Sequence, residues 1–141
     1  MRQVSDKLFV SSQVTRAELE RARAEGIAAI VNNRPDGEEP GQPSAASNAA
    51  IAAELGLDYT HIPAAPGQYS LEQVRALQAA IAAADGPVLA HCKTGTRAAS
   101  LFAIGEVLGG RMSKDDVAAL GQSIGLDLSG AARWLDANAS L

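Results

Sequence analysis

Residues 91–97 combine the side chains that a reactive thiol needs in order to attack a bound anion. The segment reads His-Cys-Lys-Thr-Gly-Thr-Arg and holds Cys92, the only cysteine of the 141-residue chain. Glycine allows the backbone to approach a ligand closely, and arginine offers a rigid fork that fits phosphate, sulfate or carboxylate. We therefore predict that Cys92 is a nucleophile and that Arg97 binds the anion that it attacks.

The residues between the cysteine and the arginine are predicted to form an anion-binding loop. The loop follows an apolar run, Pro87–Ala90, and precedes a helical pattern. Backbone N–H groups at such a strand-to-helix turn point inward, and the positive end of the helix dipole favours a thiolate. The alternative is a structural cysteine buried beside a helix-capping threonine. The predicted loop residues are Lys93, Thr94, Gly95 and Thr96.

Three further residues are predicted to support this site. We expect His91 to stabilise the loop rather than to act as a base, because a thiolate needs no base. Arg34 and Asp36 lie in a long Pro/Gly-rich segment, and long loops of this kind are often functional. If this segment folds over the site, Arg34 lines it, and Asp36, Glu38 or Glu39 supplies an acid. The alternative is that these carboxylates are solvated loop charges.

Composition limits the classes of protein to which the chain belongs. Hydrophobic residues make up 47% and charged residues 20% of the sequence, which suits one globular domain over residues 1–141. A net charge of −4 argues against general nucleic-acid binding, and no apolar stretch has the length of a membrane span. A single cysteine and no signal-peptide pattern indicate a cytoplasmic protein. The two distant histidines lack metal-ligand spacing, so we expect no metal and no other cofactor.

Short apolar runs alternate with longer Ala/Leu-rich periodic runs. This alternation predicts an α/β fold with a mostly parallel central sheet of four to five strands flanked by helices. The predicted strands are Lys7–Ser11, Ile27–Asn32, Leu57–Ile62 and Val88–Ala90. The predicted helices start at Thr15, Ser44, Ser70, Gly95 and Ser113, and a last helix carries Trp134.

The pattern His-Cys-x-x-Gly-x-Arg, together with the alternation of predicted strands and helices, resembles that of the cysteine phosphatase superfamily. It resembles even more closely the phosphatase-like domain of bacterial beta-lactamase-hydrolase-like proteins. Residues 34–43, RPDGEEPGQP, match a characteristic loop of that family, and Val10–Gln13 also fit. The resemblance spans residues 3–110. It implies a fold like that of dual-specificity phosphatases and a cysteine-dependent enzyme centred on Cys92 and Arg97.

Loop length distinguishes two kinds of chemistry within this resemblance. The superfamily's phosphatases keep five residues between Cys and Arg, whereas this chain has four, as in the shorter loop of rhodaneses, which carry a persulfide. The segment 63–69 contains no acid to protonate an alkoxide, and Ala98 replaces the usual Ser or Thr. These departures favour a sulfurtransferase that moves sulfur from thiosulfate or a persulfide to a thiol such as glutathione.

Two alternatives to sulfur transfer stay open at the level of sequence. One is a phosphatase that forms a thiophosphate on Cys92 and acts on phosphotyrosine or a small phosphate ester. The other is a non-catalytic module in which Cys92 senses oxidants or anions. The expected partners are a small anionic sulfur or phosphate substrate and a thiol acceptor such as glutathione, and we expect no binding to nucleic acid or to a membrane.

Overall fold

A mostly parallel sheet forms the centre of the molecule. The computed structural model describes residues 1–139, in which five strands lie in the order β1-β2-β5-β3-β4. Only β1 runs antiparallel to its neighbour. The strand that leads to Cys92 is therefore the central one. The strands are β1 (Arg2–Gln3), β2 (Leu8–Ser11), β3 (Ala29–Asn32), β4 (Asp58–His61) and β5 (Val88–His91).

Six helices described in the same residues cover the two faces of the sheet. Side-chain capping explains several of their starts, since Thr15, Ser70 and Ser113 each form a capping box and Ser44 accepts from the Ser47 N–H. None of the described helices is both long enough and apolar enough to cross a membrane. The helices are α1 (Arg16–Ala24), α2 (Ala45–Glu54), α3 (Leu71–Ala83), α4 (Thr96–Leu108), α5 (Lys114–Ile124) and α6 (Ser129–Ala137).

Alternate residues of β5 pack into two separate hydrophobic layers. Val88 and Ala90 belong to the larger layer, in which α3, α4, α5 and α6 contribute side chains. Leu89 belongs to the smaller layer with residues of α1 and α2. Because all four residues of β5 are buried, the strand holds the start of the cysteine loop in a fixed position.

The predicted fold class is confirmed, with differences at the ends of elements. β3 begins at Ala29 rather than Ile27, because residues 27 and 28 connect α1 to the sheet without pairing as a strand. β1 is an element that the sequence did not predict. It has two residues and exists through its pairing with β2, so no local pattern marks it.

The segment between α5 and α6 supports the cysteine loop. A Cβ atom at Gly95 would lie 3.5 Å from Cδ1 of Leu126, so this leucine packs beside the turn of the loop. Leu126 is in turn held by α5, because its N–H donates to the carbonyl of Gly121 at 2.9 Å. The position of the turn therefore depends on close packing at Gly121.

Gly121→Ala is expected to destabilise the protein by about 1–3 kcal/mol, the usual cost of overpacking. The reason is that an added Cβ would lie 2.6 Å from the backbone carbonyl oxygen of Leu126, which cannot swing away. Chemical denaturation measures the loss. Gly130→Ala is the matched control, since its Cβ meets neighbours at ordinary distances of 3.8–3.9 Å. Equal stability of the two variants would contradict the prediction.

Candidate active site

Cys92 lies at the carboxyl end of the central strand and is the site's candidate nucleophile. Its side chain is completely buried, and its backbone N–H donates to the carbonyl of Ser11 on β2 at 3.3 Å. The N–H of Gly95 donates to the Sγ atom at 3.0 Å. This contact fixes the position of the sulfur relative to the turn of the loop.

Gly95 makes the turn that brings this amide to the sulfur. Its φ angle is +99°, in the region that side chains avoid, so glycine is required here. Gly95 is also the N-cap of α4 and provides no side-chain cap. The first amides of α4 are therefore not capped by a side chain, and they lie at the positive end of the helix dipole.

The other predicted loop residues take different positions. The hydroxyl of Thr94 donates to that of Thr96 at 3.1 Å, and it also accepts from the Thr96 N–H at 3.4 Å. Lys93 is exposed and lies 3.5 Å from a carboxylate oxygen of Glu39. Lys93 thus adds positive charge at the rim of the loop, while the two threonines bond to each other.

Arg97, in the first turn of α4, already holds an anionic group. Its Nη1 and Nη2 atoms donate to Oε2 and Oε1 of Glu38 at 2.8 and 3.1 Å, which is a bidentate contact. Nη1 also donates to the carbonyl of Ala64 at 3.0 Å. The guanidinium is therefore oriented by a fixed carbonyl and carries a carboxylate where we predicted an anionic substrate.

Arg34 brings a second guanidinium to the same carboxylate. Its Nε donates to Oε1 of Glu38 at 2.8 Å, and its Nη1 donates to Oε1 of Gln13 at 3.1 Å. Its Nη2 forms an ion pair with Glu39 at 2.8 Å. The Arg34 side chain is only 1% exposed, so it is a buried charge whose partners lie on the loops around the site. The structure thus places Arg34 beside Arg97, on the same carboxylate of Glu38.

We call residues 34–43 the covering loop, because it carries Glu38 across the site. Gln42 ties the loop to itself, accepting from the Glu38 N–H at 3.0 Å and donating to the carbonyl of Pro35 at 2.8 Å. Asp36 accepts from the N–H of Ala45, the first residue of α2, at 2.8 Å. Asp36 therefore anchors the loop to a helix, and among the three acids considered from the sequence it is Glu38 that reaches Arg97.

Glu38 is an ionised group in this arrangement. Its hydrogen bond to Arg97, strengthened by Arg34, holds the pKa of its carboxyl below the usual value, although partial burial opposes the shift. Hydrogen bonds to the charged form stabilise that form. A carboxylate held in this way is a poor proton donor while it stays on the two arginines.

His91 sits under the loop as a neutral side chain. It is fully buried, and neither ring nitrogen has a hydrogen-bond partner in the structure. Burial lowers the pKa of its imidazole to about 4. The main chain of His91 is held instead, since its carbonyl accepts from the Asn33 N–H at 2.8 Å. Its support of the loop therefore comes through packing and backbone.

Several contributors to the site were not predicted from the sequence. They are the carbonyls of Ser11 and Ala64 and the side-chain amide of Gln13. Main-chain carbonyls leave no signal in residue types. Gln13 stands in a segment that matched the family pattern, and this was the one available indication of its role.

The comparison with protein families identifies the domain. The family described as "Beta-lactamase hydrolase-like protein, phosphatase-like domain" matches residues 1–109, more than three quarters of the chain. The chain belongs to this family. The resemblance inferred from residues 34–43 and 91–97 is thereby confirmed, and this phosphatase-like domain contains both segments.

Full-length relatives of the family are longer than this chain. The beta-lactamase hydrolase-like protein of Agrobacterium fabrum is 41% identical over 133 residues, covering 94% of this chain and 31% of that protein. The chain thus spans about a third of the length of this curated relative.

Solved structures confirm the protein tyrosine phosphatase-like fold. A candidate phosphatase from Neisseria meningitidis has a TM-score of 0.85 and 31% identity, covering 96% of this chain and 95% of its own. Tk-PTP in its active form has a TM-score of 0.73 at 16% identity, covering 96% and 92%. At that low identity the second likeness concerns the fold alone.

Proposed function

We propose that this phosphatase-like domain is a sulfurtransferase in which Cys92 carries sulfur as a persulfide. The observation that supports the proposal most is the state of Glu38, the carboxylate on Arg97. While Glu38 stays on Arg97, its lowered pKa makes it a poor acid, and a leaving group that needs no proton suits this arrangement. Sulfite, released from thiosulfate, is such a leaving group.

The proposed reaction has two balanced steps. The Cys92 thiolate attacks the outer sulfur of thiosulfate, a sulfur–sulfur bond forms to Sγ, and the old sulfur–sulfur bond breaks with its electron pair leaving on sulfite. A thiolate acceptor such as glutathione then attacks the outer sulfur of the Cys92 persulfide. The acceptor leaves as a persulfide, and the electron pair of the broken bond returns to Cys92 as thiolate.

The loop amides and Arg97 supply the electrostatics of both steps. The Gly95 N–H stabilises negative charge on Sγ before attack and after transfer. Arg97 offers a fork to oxygen atoms of the sulfonate group, on which charge grows as sulfite departs. The helix dipole of α4 acts in the same direction.

Mass spectrometry of the intact domain after treatment with thiosulfate tests the proposal. We expect a mass gain of about 32 Da, one sulfur atom, on Cys92. Sulfite should be released in equal amount, and glutathione should remove the added mass repeatedly. Cys92→Ser is the control and should show neither change. Unmodified Cys92 with no sulfite would refute sulfur transfer, and one modification without turnover would indicate a sensing module.

A phosphatase is the second candidate, favoured by the fold and by the family to which the domain belongs. Substrate choice separates it from sulfur transfer. An alkyl phosphate needs protonation of its leaving oxygen, whereas an aryl phosphate hardly does. Turnover of an alkyl phosphate that is lost in both Cys92→Ser and Glu38→Gln would support a phosphatase with Glu38 as its acid. Absence of such turnover would count against the phosphatase.

A further inference from the structure

Arg34 and Arg97 converge on a single oxygen atom. Oε1 of Glu38 accepts from Arg34 Nε at 2.8 Å and from Arg97 Nη2 at 3.1 Å, and its other oxygen accepts from Arg97 at 2.8 Å. We infer that Arg34 is a second substrate-binding residue and that Glu38 occupies the place of the substrate's oxygen atoms until substrate displaces it. This inference rests on the proposed function and adds the kind of donor that the site selects.

Because Arg34 and Arg97 are buried, we expect Glu38 to be exchanged for another anion rather than simply released. The side chains of Arg34 and Arg97 are 1% and 7% exposed, so both guanidinium charges are largely removed from water. Buried charges without a partner are costly, and two neighbouring positive charges repel each other as well. A departing Glu38 therefore favours the entry of another anion, which takes over its hydrogen bonds.

The geometry of Glu38 resembles that of a sulfonate more than that of an alkyl persulfide. A sulfonate presents several oxygens to two guanidinium forks, as the two carboxylate oxygens do now. The charged end of an alkyl persulfide is a single sulfur atom, which cannot satisfy both forks. The receptor formed by Arg34 and Arg97 thus favours the sulfonate group of thiosulfate and related thiosulfonates over the persulfide group of an alkyl persulfide.

Other charged groups around the receptor are consistent with exchange. Glu39 pairs with Arg34 and Lys93 and is 43% exposed, so it holds the rim of the covering loop. Its partner Lys93 is 58% exposed and adds positive charge at this rim. Glu38, at 22% exposure, is the more enclosed carboxylate and is the one between the two buried arginines.

Kinetic constants of Glu38→Gln test the displacement. We expect KM for thiosulfate to fall about tenfold, the size of effect that one charged hydrogen-bonded contact produces. The KM for glutathione persulfide should change by less than that for thiosulfate. Glu54→Gln removes the same charge from an exposed ion pair with Arg16 and is the matched control, with unchanged constants. An unchanged or increased thiosulfate KM in Glu38→Gln would overturn the inference.

Calorimetry on the Cys92→Ser protein tests the receptor without any sulfur transfer. We expect inorganic sulfate to bind, to bind more tightly when Glu38→Gln is added, and to bind about tenfold more weakly when Arg34→Lys is added, because lysine lacks the fork. These results would support the receptor even if no persulfide ever forms. Sulfate affinity that is indifferent to both changes would refute it while leaving sulfur transfer intact.

Discussion

Arg97→Lys should reduce kcat/KM for thiosulfate by about 10²–10³-fold, the usual cost of losing one preorganised donor to a developing anion. Lysine keeps the positive charge but cannot reproduce the geometry of Arg97. The guanidinium donates to Ala64 and at the same time to both oxygens of Glu38. A single ammonium group on a flexible stem cannot hold these directions together, so the effect measures the fork rather than the charge.

Steady-state assays of sulfite release provide the measurement for Arg97→Lys, and denaturation checks that the variant is folded at the assay temperature. Arg111→Lys is the matched control. Arg111 follows α4, is 55% exposed and pairs with Glu106 of that helix, so it should tolerate the change. Activity of Arg97→Lys close to that of the control would show that Arg97 serves the fold and not the reaction.

Acidification should destabilise the protein through His91, by about 3 kcal/mol between pH 6.5 and pH 4. Burial lowers the pKa of this imidazole from 6.5 to about 4, so the folded protein resists protonation that the unfolded chain accepts. Above pH 6.5 both states are neutral and His91 contributes no slope. As the pH falls below 6.5, the unfolded state binds the additional proton and stability declines until the folded state also protonates near pH 4.

Urea denaturation at several pH values between 7 and 4 measures this slope. His91→Asn should flatten this dependence of stability on pH. His61→Asn, which removes the chain's other histidine, should keep the dependence and so assigns it to His91. Glu38 acts in a different window, because its lowered pKa makes its stabilising ion pairs disappear only as the pH falls below its usual 4.5. A wild-type slope that persists unchanged in His91→Asn would contradict the assignment.

Local signals explain why most of the fold was predictable. Thr15, Ser70 and Ser113 cap helices through residues three positions away, and such short spacings are visible in the sequence. β1 was missed because a strand of two residues shows no strand pattern and forms only through its pairing with β2. The Arg2 side chain donates to the carbonyl of Ile124, 122 positions along the chain, and no local pattern encodes that approach.

The same contrast holds for the candidate site. Cys92, Gly95 and Arg97 were predicted together because their spacing within one loop carries their chemistry. The sequence placed three acids in the covering loop without selecting one. The choice of Glu38 depends on a contact 59 positions away and on the anchoring of Asp36 to α2, both of which arise only in the folded chain.

The burial of Cys92 has a consequence for the lifetime of the protein. Cysteine side chains are oxidised according to their exposure, and the side chain of Cys92 has no exposed surface in this structure. Peroxides are small and uncharged, so they have no means of displacing a carboxylate from two arginines. An anionic donor does. Under the proposed exchange at Glu38, we therefore expect Cys92 to be oxidised slowly by peroxides in the resting protein and to react readily with an anionic donor.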